Sequence, residues 1–179
     1  LQTPQGTDTL DSTSSLAAAS LLNALYAEPN RVVVVFASTS TALEPLVLAV
    51  WSQQWPRLRR SFRFCTGAVA ARFQDGAPFD ALVAPMSLRS RIQRELSDAV
   101  LLDETEGMVH TAWVDAGLRD LYGQDPALRE FLWLYGIDVL QPRAAWRGLV
   151  QCFRMLRTDD SESLVIELLG TEFPMHSDA

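Results

Sequence analysis

The chain contains the three residue types of a nucleophilic thiol centre in Cys65, His110 and Asp115. A thiolate attacks, an imidazole takes its proton and a carboxylate orients the imidazole. The surroundings of Cys65 argue against that use. It lies in Ser61-Phe62-Arg63-Phe64-Cys65-Thr66, which alternates like a half-buried strand, and no nucleophile signature flanks it. A buried, inert thiol is the expectation, and no G-x-S-x-G elbow offers a serine in its place. Metal chemistry has no better footing. His110 and His176 are the only histidines, and Asp103, Glu104 and Glu106 lack the spacing of a calcium loop. They read as a solvated acidic turn, so neither a metal nor another cofactor is implied.

Phosphate chemistry has one candidate. There is no G-x-x-x-x-G-K-[ST], no lysine to serve one and no G-x-G-x-x-G. The loop Ser38-Thr39-Ser40-Thr41 nevertheless follows an apolar strand and leads into a helix, where α/β folds often hold anions. Its hydroxyls and the helix N-terminus could hold a phosphate. With no glycine in the loop, an ordinary turn with capping residues is the simpler reading.

The most polar feature of the central region is Arg57, Arg59, Arg60 and Arg63. These could meet an acidic partner, or a nucleic acid strand with Trp51, Trp55, Phe62 and Phe64 as stacking surfaces. A structural use also explains them: arginines at a helix C-terminus complement its dipole, and one can pair with a carboxylate such as Asp80. The structural use is favoured, and the aromatics read as core. A net charge of −7 argues against general affinity for phosphate backbones. All fifteen basic residues are arginine; a GC-rich genome is the simpler reading and a selected role for arginine the sharper one.

The elements that must position these residues follow from periodicity. Residues 1–13 read as a linker or mobile terminus. Ser14 or Ser15 caps a helix from Leu16 to about Ala27, with Ala18, Leu21, Leu22 and Leu25 on one face. Val32–Phe36 is an apolar run suited to a strand buried on both faces. The next helix starts either with Thr41 and Glu44 as a capping box or, preferably, with Glu44 as cap and Pro45 in the first position, and Pro56 stops it. Phe62/Phe64 and Phe79–Ala84 are strands, with a turn over Gln74–Pro78 between them. Leu88–Leu102 reads as one amphipathic helix, with Leu88, Ile92, Leu96, Ala99 and Val100 inward. Asp103–Gly107 breaks the chain. Helices then follow over Val109–Tyr122, ended by Gly123; from Asp125-Pro126 to Gly136; from Pro142, with Trp146, Leu149, Val150 and Phe153 inward; and over Leu164–Leu169, capped by Gly170.

The fold class is therefore α/β: a small mixed sheet of about three to four strands flanked by helices, then a helical subdomain. The division is 1–13 linker, 14–102 α/β subdomain and 103–179 helical subdomain. No apolar run reaches about 18 residues, so no membrane span is expected. The polar start carries no signal core, and Cys65 and Cys152 form no disulfide framework, which fits a reducing cytoplasmic setting. A start at Leu1 rather than Met suggests a piece of a longer polypeptide.

The stretch Trp55-Pro56-Arg57-Leu58-Arg59-Arg60-Ser61-Phe62-Arg63-Phe64-Cys65-Thr66-Gly67 resembles the proline, arginine, F-x-F-x-T segment of the GTPase-associated protein family of bacterial conflict systems. As in that family, it follows an apolar strand and helix. The strand Phe79–Pro85 and the helical region ending near Phe173-Pro174 are also similar, so the likeness covers residues 16–102 and, more loosely, the helical tail. Trp55 departs from the pattern, where a smaller apolar residue precedes the proline. The resemblance implies a multidomain antiviral-defence protein encoded beside a GTPase or related switch, in which this region is a non-catalytic interaction or scaffold module. Its partners would be a GTPase or effector and other domains of the same parent chain. It brings no catalytic residues, and the matched Pro56, Arg60, Phe62, Phe64 and Thr66 look architectural. The alternative is a nucleotide- or small-ligand-sensing domain that uses the Ser38–Thr41 loop.

Overall fold

Five consecutive apolar residues, Val33–Ala37, form strand β1, and all five are buried. A strand with no polar side can be stable only where both of its faces are covered. The computed structural model, which describes residues 12–103, 111–158 and 162–173, covers β1 on both faces and pairs it along both edges. β5 (Ala81–Pro85) lies on one edge, with Val33 opposite Ala81 and Ala37 opposite Pro85. β6 (Val100–Asp103) lies on the other, with Val33 opposite Val100. β2 (Phe64–Thr66) pairs outside β5, giving the order β2-β5-β1-β6. This four-stranded sheet is parallel throughout. Antiparallel pairing is confined to a separate hairpin, β3 (Phe73–Gln74) with β4 (Ala77–Pro78). Asp75 and Gly76 turn it, both at positive φ (54° and 79°), as a two-residue hairpin loop requires.

Alternation along β1 sends its side chains into two cores. Val33, Val35 and Ala37, with Ala81 and Val83, join a large cluster. Its other walls are α1 (Ser12–Ala27), α2 (Ser40–Gln53), α5 (Ala112–Leu121), α6 (Ala127–Tyr135) and α7 (Pro142–Arg157). Val34 and Phe36, with Leu82 and Ala84, pack on Ala68 and on Ile92 of α4 (Arg89–Glu95). α3 (Pro56–Ser61) joins α2 to β2, and α8 (Glu162–Glu172) lies on α7. Leu22 and Leu25 of α1 share one cluster with Val114 of α5 and Trp146 of α7. Tyr26 stacks on Trp146 with ring centroids 4.0 Å apart. The buried core therefore does not divide at residue 103; sheet and later helices are closed by the same side chains. Among the described residues no helix is long and apolar enough to cross a membrane.

The structure corrects several sequence expectations. The single helix over 88–102 ends at Glu95, and Val100–Asp103 becomes β6. Ala99, Val100, Leu101 and Leu102 fit a short buried strand as well as a helical face, and the open edge of β1 selects the strand. Pro56 does not merely stop a helix: it takes the first position of α3, where its missing N–H costs nothing. The following strand shrinks to Phe64–Thr66. Pro45 lies inside α2 rather than at its start. It removes the hydrogen bond to the Thr41 carbonyl, a loss tolerable because Thr41 and Pro45 are both exposed to water. α1 begins at Ser12, ahead of the Ser14 or Ser15 cap. Gly170 lies within α8 instead of ending it. Most of the linker over 1–13 and most of the acidic turn lie outside the described residues.

One side chain ties the amino ends of the sheet to the helices. Arg143, near the start of α7, donates through Nη1 to Asp80 Oδ1 (2.8 Å), through Nε to the Leu25 carbonyl (2.9 Å) and through Nη2 to the Arg31 carbonyl (2.7 Å). The other Asp80 oxygen accepts from the Arg63 backbone N–H (2.8 Å). α1, α7, β1 and the entries to β2 and β5 thus meet at one nearly buried ion pair. Replacing Arg143 with Met strips Asp80 of its countercharge and two carbonyls of their donors. We expect a loss of about 2–4 kcal/mol in urea unfolding, since removing one member of such a pair leaves the other desolvated and unpaired.

Candidate functional site

The carboxyl edge of the parallel sheet is where open α/β folds hold ligands, and the crevice opens where neighbouring strands feed helices on opposite faces. β1 and β5 are such neighbours. β1 leads to α2, whose Leu43, Leu46, Val47 and Val50 join the larger core. β5 leads through the short 3-10 turn Met86–Leu88 to α4, whose Ile92 joins the smaller one. The hydroxyl-rich loop Ser38-Thr39-Ser40-Thr41 stands at this switch point. Ser38, Thr39 and Thr41 are exposed. Thr39 is the N-cap of α2 by backbone position, but its side chain makes no capping bond. The capping role the sequence suggested for this loop is therefore not made by Thr39. Close by in the fold, Arg89 pairs with Asp103 at the end of β6, and its guanidinium lies 5.1 Å from the Phe36 ring centroid.

The arginine cluster does not act as one patch. Arg59 turns back onto α2, donating from Nε to the Trp51 carbonyl (3.1 Å) and from Nη2 to the Ser52 carbonyl. Its guanidinium lies between the rings of Trp51 (5.1 Å) and Trp133 (5.3 Å). It closes the C-terminus of α2, where the last carbonyls lack intrahelical donors. Arg63 donates from Nη1 to the Gln74 carbonyl (2.9 Å) and lies 3.7 Å from Asp75, holding the β3–β4 hairpin. Arg57 and Arg60 stand on α3, and among the described residues their side chains form no hydrogen bond or ion pair. Asp80 does take an arginine, but the partner is Arg143 from a distant helix. Trp55 and Phe62 are buried, so they are core and not stacking surfaces.

The thiol constellation does not assemble among the described residues. Cys65 is half-buried in the core on the α4 face, whereas Asp115 lies on α5, which packs on the other face. His110, Glu104 and Glu106 lie outside the described residues. Cys152 is buried on α7, and burial pushes its thiol pKa up, away from reactivity. Among the described residues no group of three or more His, Cys, Asp or Glu could hold a metal ion.

The feature that sequence reasoning missed is an apolar groove of about 360 Å³ between α6 and α8, floored by α7. Phe131 and Tyr135 form one wall, Leu149 and Leu156 the floor, and Val165 and Leu169 the other wall. Large apolar side chains of its lining are left exposed: Tyr135 is 56% exposed, Leu156 62% and Leu169 43%. A signal was present in Phe131-Leu132-Trp133-Leu134-Tyr135, five consecutive apolar residues on one helix. Such a run cannot all face one core, so part of it must look outward. Comparison of the chain with protein-family models, with curated proteins and with solved structures finds no match.

Arg59→Lys keeps the charge but loses the planar fork and its stacking between two indoles. It should lower stability by about 1–2 kcal/mol in urea unfolding, while Arg57→Ala and Arg60→Ala stay within about 0.5 kcal/mol of the parent.

Proposed function

We propose that this chain is a non-catalytic interaction module, and that it docks a protein partner along the α6–α8 groove. The observation that carries this reading is that Tyr135, Leu156 and Leu169 line the groove and are exposed. Large apolar patches on a folded surface mark binding sites more often than they mark nothing. The groove is also the right kind of shape: a helical wall on each side of a helical floor can take the apolar face of a further helix. The resemblance of residues 55–67 to the GTPase-associated proteins of bacterial conflict systems names the first partners to try. They are a GTPase encoded alongside, an effector, or an adjoining domain of the same parent chain.

Leu169→Asp and Leu156→Asp test the groove. Both side chains are exposed, so each variant should unfold within about 1 kcal/mol of the parent. In titration calorimetry with the neighbouring GTPase, and with the adjoining parent-chain segments, the parent should bind and both variants should weaken binding at least about tenfold. Binding by neither kind of partner, or variants that bind like the parent, would remove this reading.

A second reading, a nucleotide- or small-ligand-sensing domain, is favoured by the position of Ser38–Thr41 at the switch point of the sheet. A ligand held there stabilises the folded state by mass action. Nucleotides would then raise the melting temperature of the parent, and less so that of a Thr39→Ala variant.

A further inference from the structure

A second cavity, of about 350 Å³, opens between α5 and α7 on the large-core side of the sheet, and its chemistry is opposite to that of the groove. Three arginines line it: Arg119 from α5, and Arg154 and Arg157 from α7. Arg157 is partnered. It donates to Asp125 Oδ2 at 2.5 Å, and its guanidinium lies 5.1 Å from the Phe153 ring centroid. Among the described residues the guanidinium groups of Arg119 and Arg154 form no hydrogen bond or ion pair. Arg154 is half-buried and Arg119 exposed, and both line the cavity. Ala112 and Ala116 line the α5 side, and their methyl groups leave the space between the guanidiniums open.

The balance of charge is unusual for this chain. The lining sets three guanidiniums against two carboxylates, Asp115 and Asp125, and so carries a surplus of one positive charge. The chain as a whole carries −7. Asp115 has an interaction of its own, and Asp125 is bound to Arg157. The cavity runs along α5 from Ala112, its first residue, to Arg119 in its last turn.

We propose that this cavity is an anion site for a phosphorylated small molecule. Arg119 and Arg154 form its fork, and Arg157 is held ready beside them by Asp125. The guanidinium plane matches a phosphoryl group with paired N–H donors. The volume suits a small phosphorylated metabolite rather than a polymer. The site is separate from the Ser38–Thr41 loop and from the apolar groove, so it stands or falls independently of either reading above.

Inorganic phosphate, pyrophosphate and ATP, each at about 5 mM against the intact chain, are the probes, followed by phosphorus NMR line broadening and by the melting temperature. The expected result is broadening and a rise in melting temperature with at least one of the three. Arg119→Gln and Arg154→Gln should each weaken binding about tenfold or more, the loss that one charge-assisted hydrogen bond predicts. Arg60→Gln, the same charge change on α3, and Thr39→Ala, at the sheet edge, should bind like the parent. No binding of any probe would overturn the proposal. So would an equal loss in Arg60→Gln, which would mark a general charge effect, or a loss confined to Thr39→Ala, which would place the anion at the sheet.

Discussion

A strand with no polar side imposes the architecture. Val33–Ala37 cannot lie at a surface, because each of its two faces presents apolar side chains and each of its two edges presents backbone donors and acceptors. Its edges are met by β5 and β6, and its faces by two helical layers of unequal size. The larger layer could not be built from the first half of the chain alone. Trp113, Val114, Trp146 and Val150, all from beyond residue 110, complete the wall over α1. The smaller layer needs only α4 and the loop around Ala68.

Arginine does much of the joining between these layers. Arg143 gathers two carbonyls and a carboxylate where α1, α7 and the sheet converge. Arg59 closes one helix while filling the space between two indoles. Arg129 reaches the buried Asp120, which also accepts from Gln53. Burial raises the pKa of that carboxyl despite the nearby guanidinium. Arg143 and Arg59 use several donors of the planar fork at once, which a lysine ammonium could not reproduce. Every basic residue of the chain is arginine, and the geometry explains what these particular arginines do. Where the fork has no such duty, at Arg119 and Arg154, the guanidinium groups are left for something else.

The two surfaces with binding character differ in physical kind. The α6–α8 groove offers area and shape, which suit a macromolecule with an apolar ridge. The α5–α7 cavity offers charge and directional donors, which suit a small anion. Both are built by the helices after residue 110, on the side of the sheet opposite α4.

Local pattern was enough for the elements whose signals agree. β1 was legible as an unbroken apolar run, α6 as ending at Gly136, and α7 as beginning at Pro142 with Trp146, Leu149, Val150 and Phe153 inward. It failed where one pattern fits two structures. Ala99–Leu102 has both helical spacing and the character of a buried strand, and only the vacant edge of β1 decides between them. The arginine cluster was legible as residues but not as roles, because the partners of Arg59 and Arg63 depend on how the chain turns at Pro56 and at Asp75-Gly76. The sequence by itself determined which stretches are apolar, where prolines and glycines interrupt them, and hence an α/β fold followed by helices, since those are short-range properties of the chain. The tertiary structure alone decided that Asp80 meets Arg143 across 63 positions, that α6, α7 and α8 leave a groove, and that three arginines share a cavity. Such meetings depend on how whole elements pack, and no local spacing encodes them.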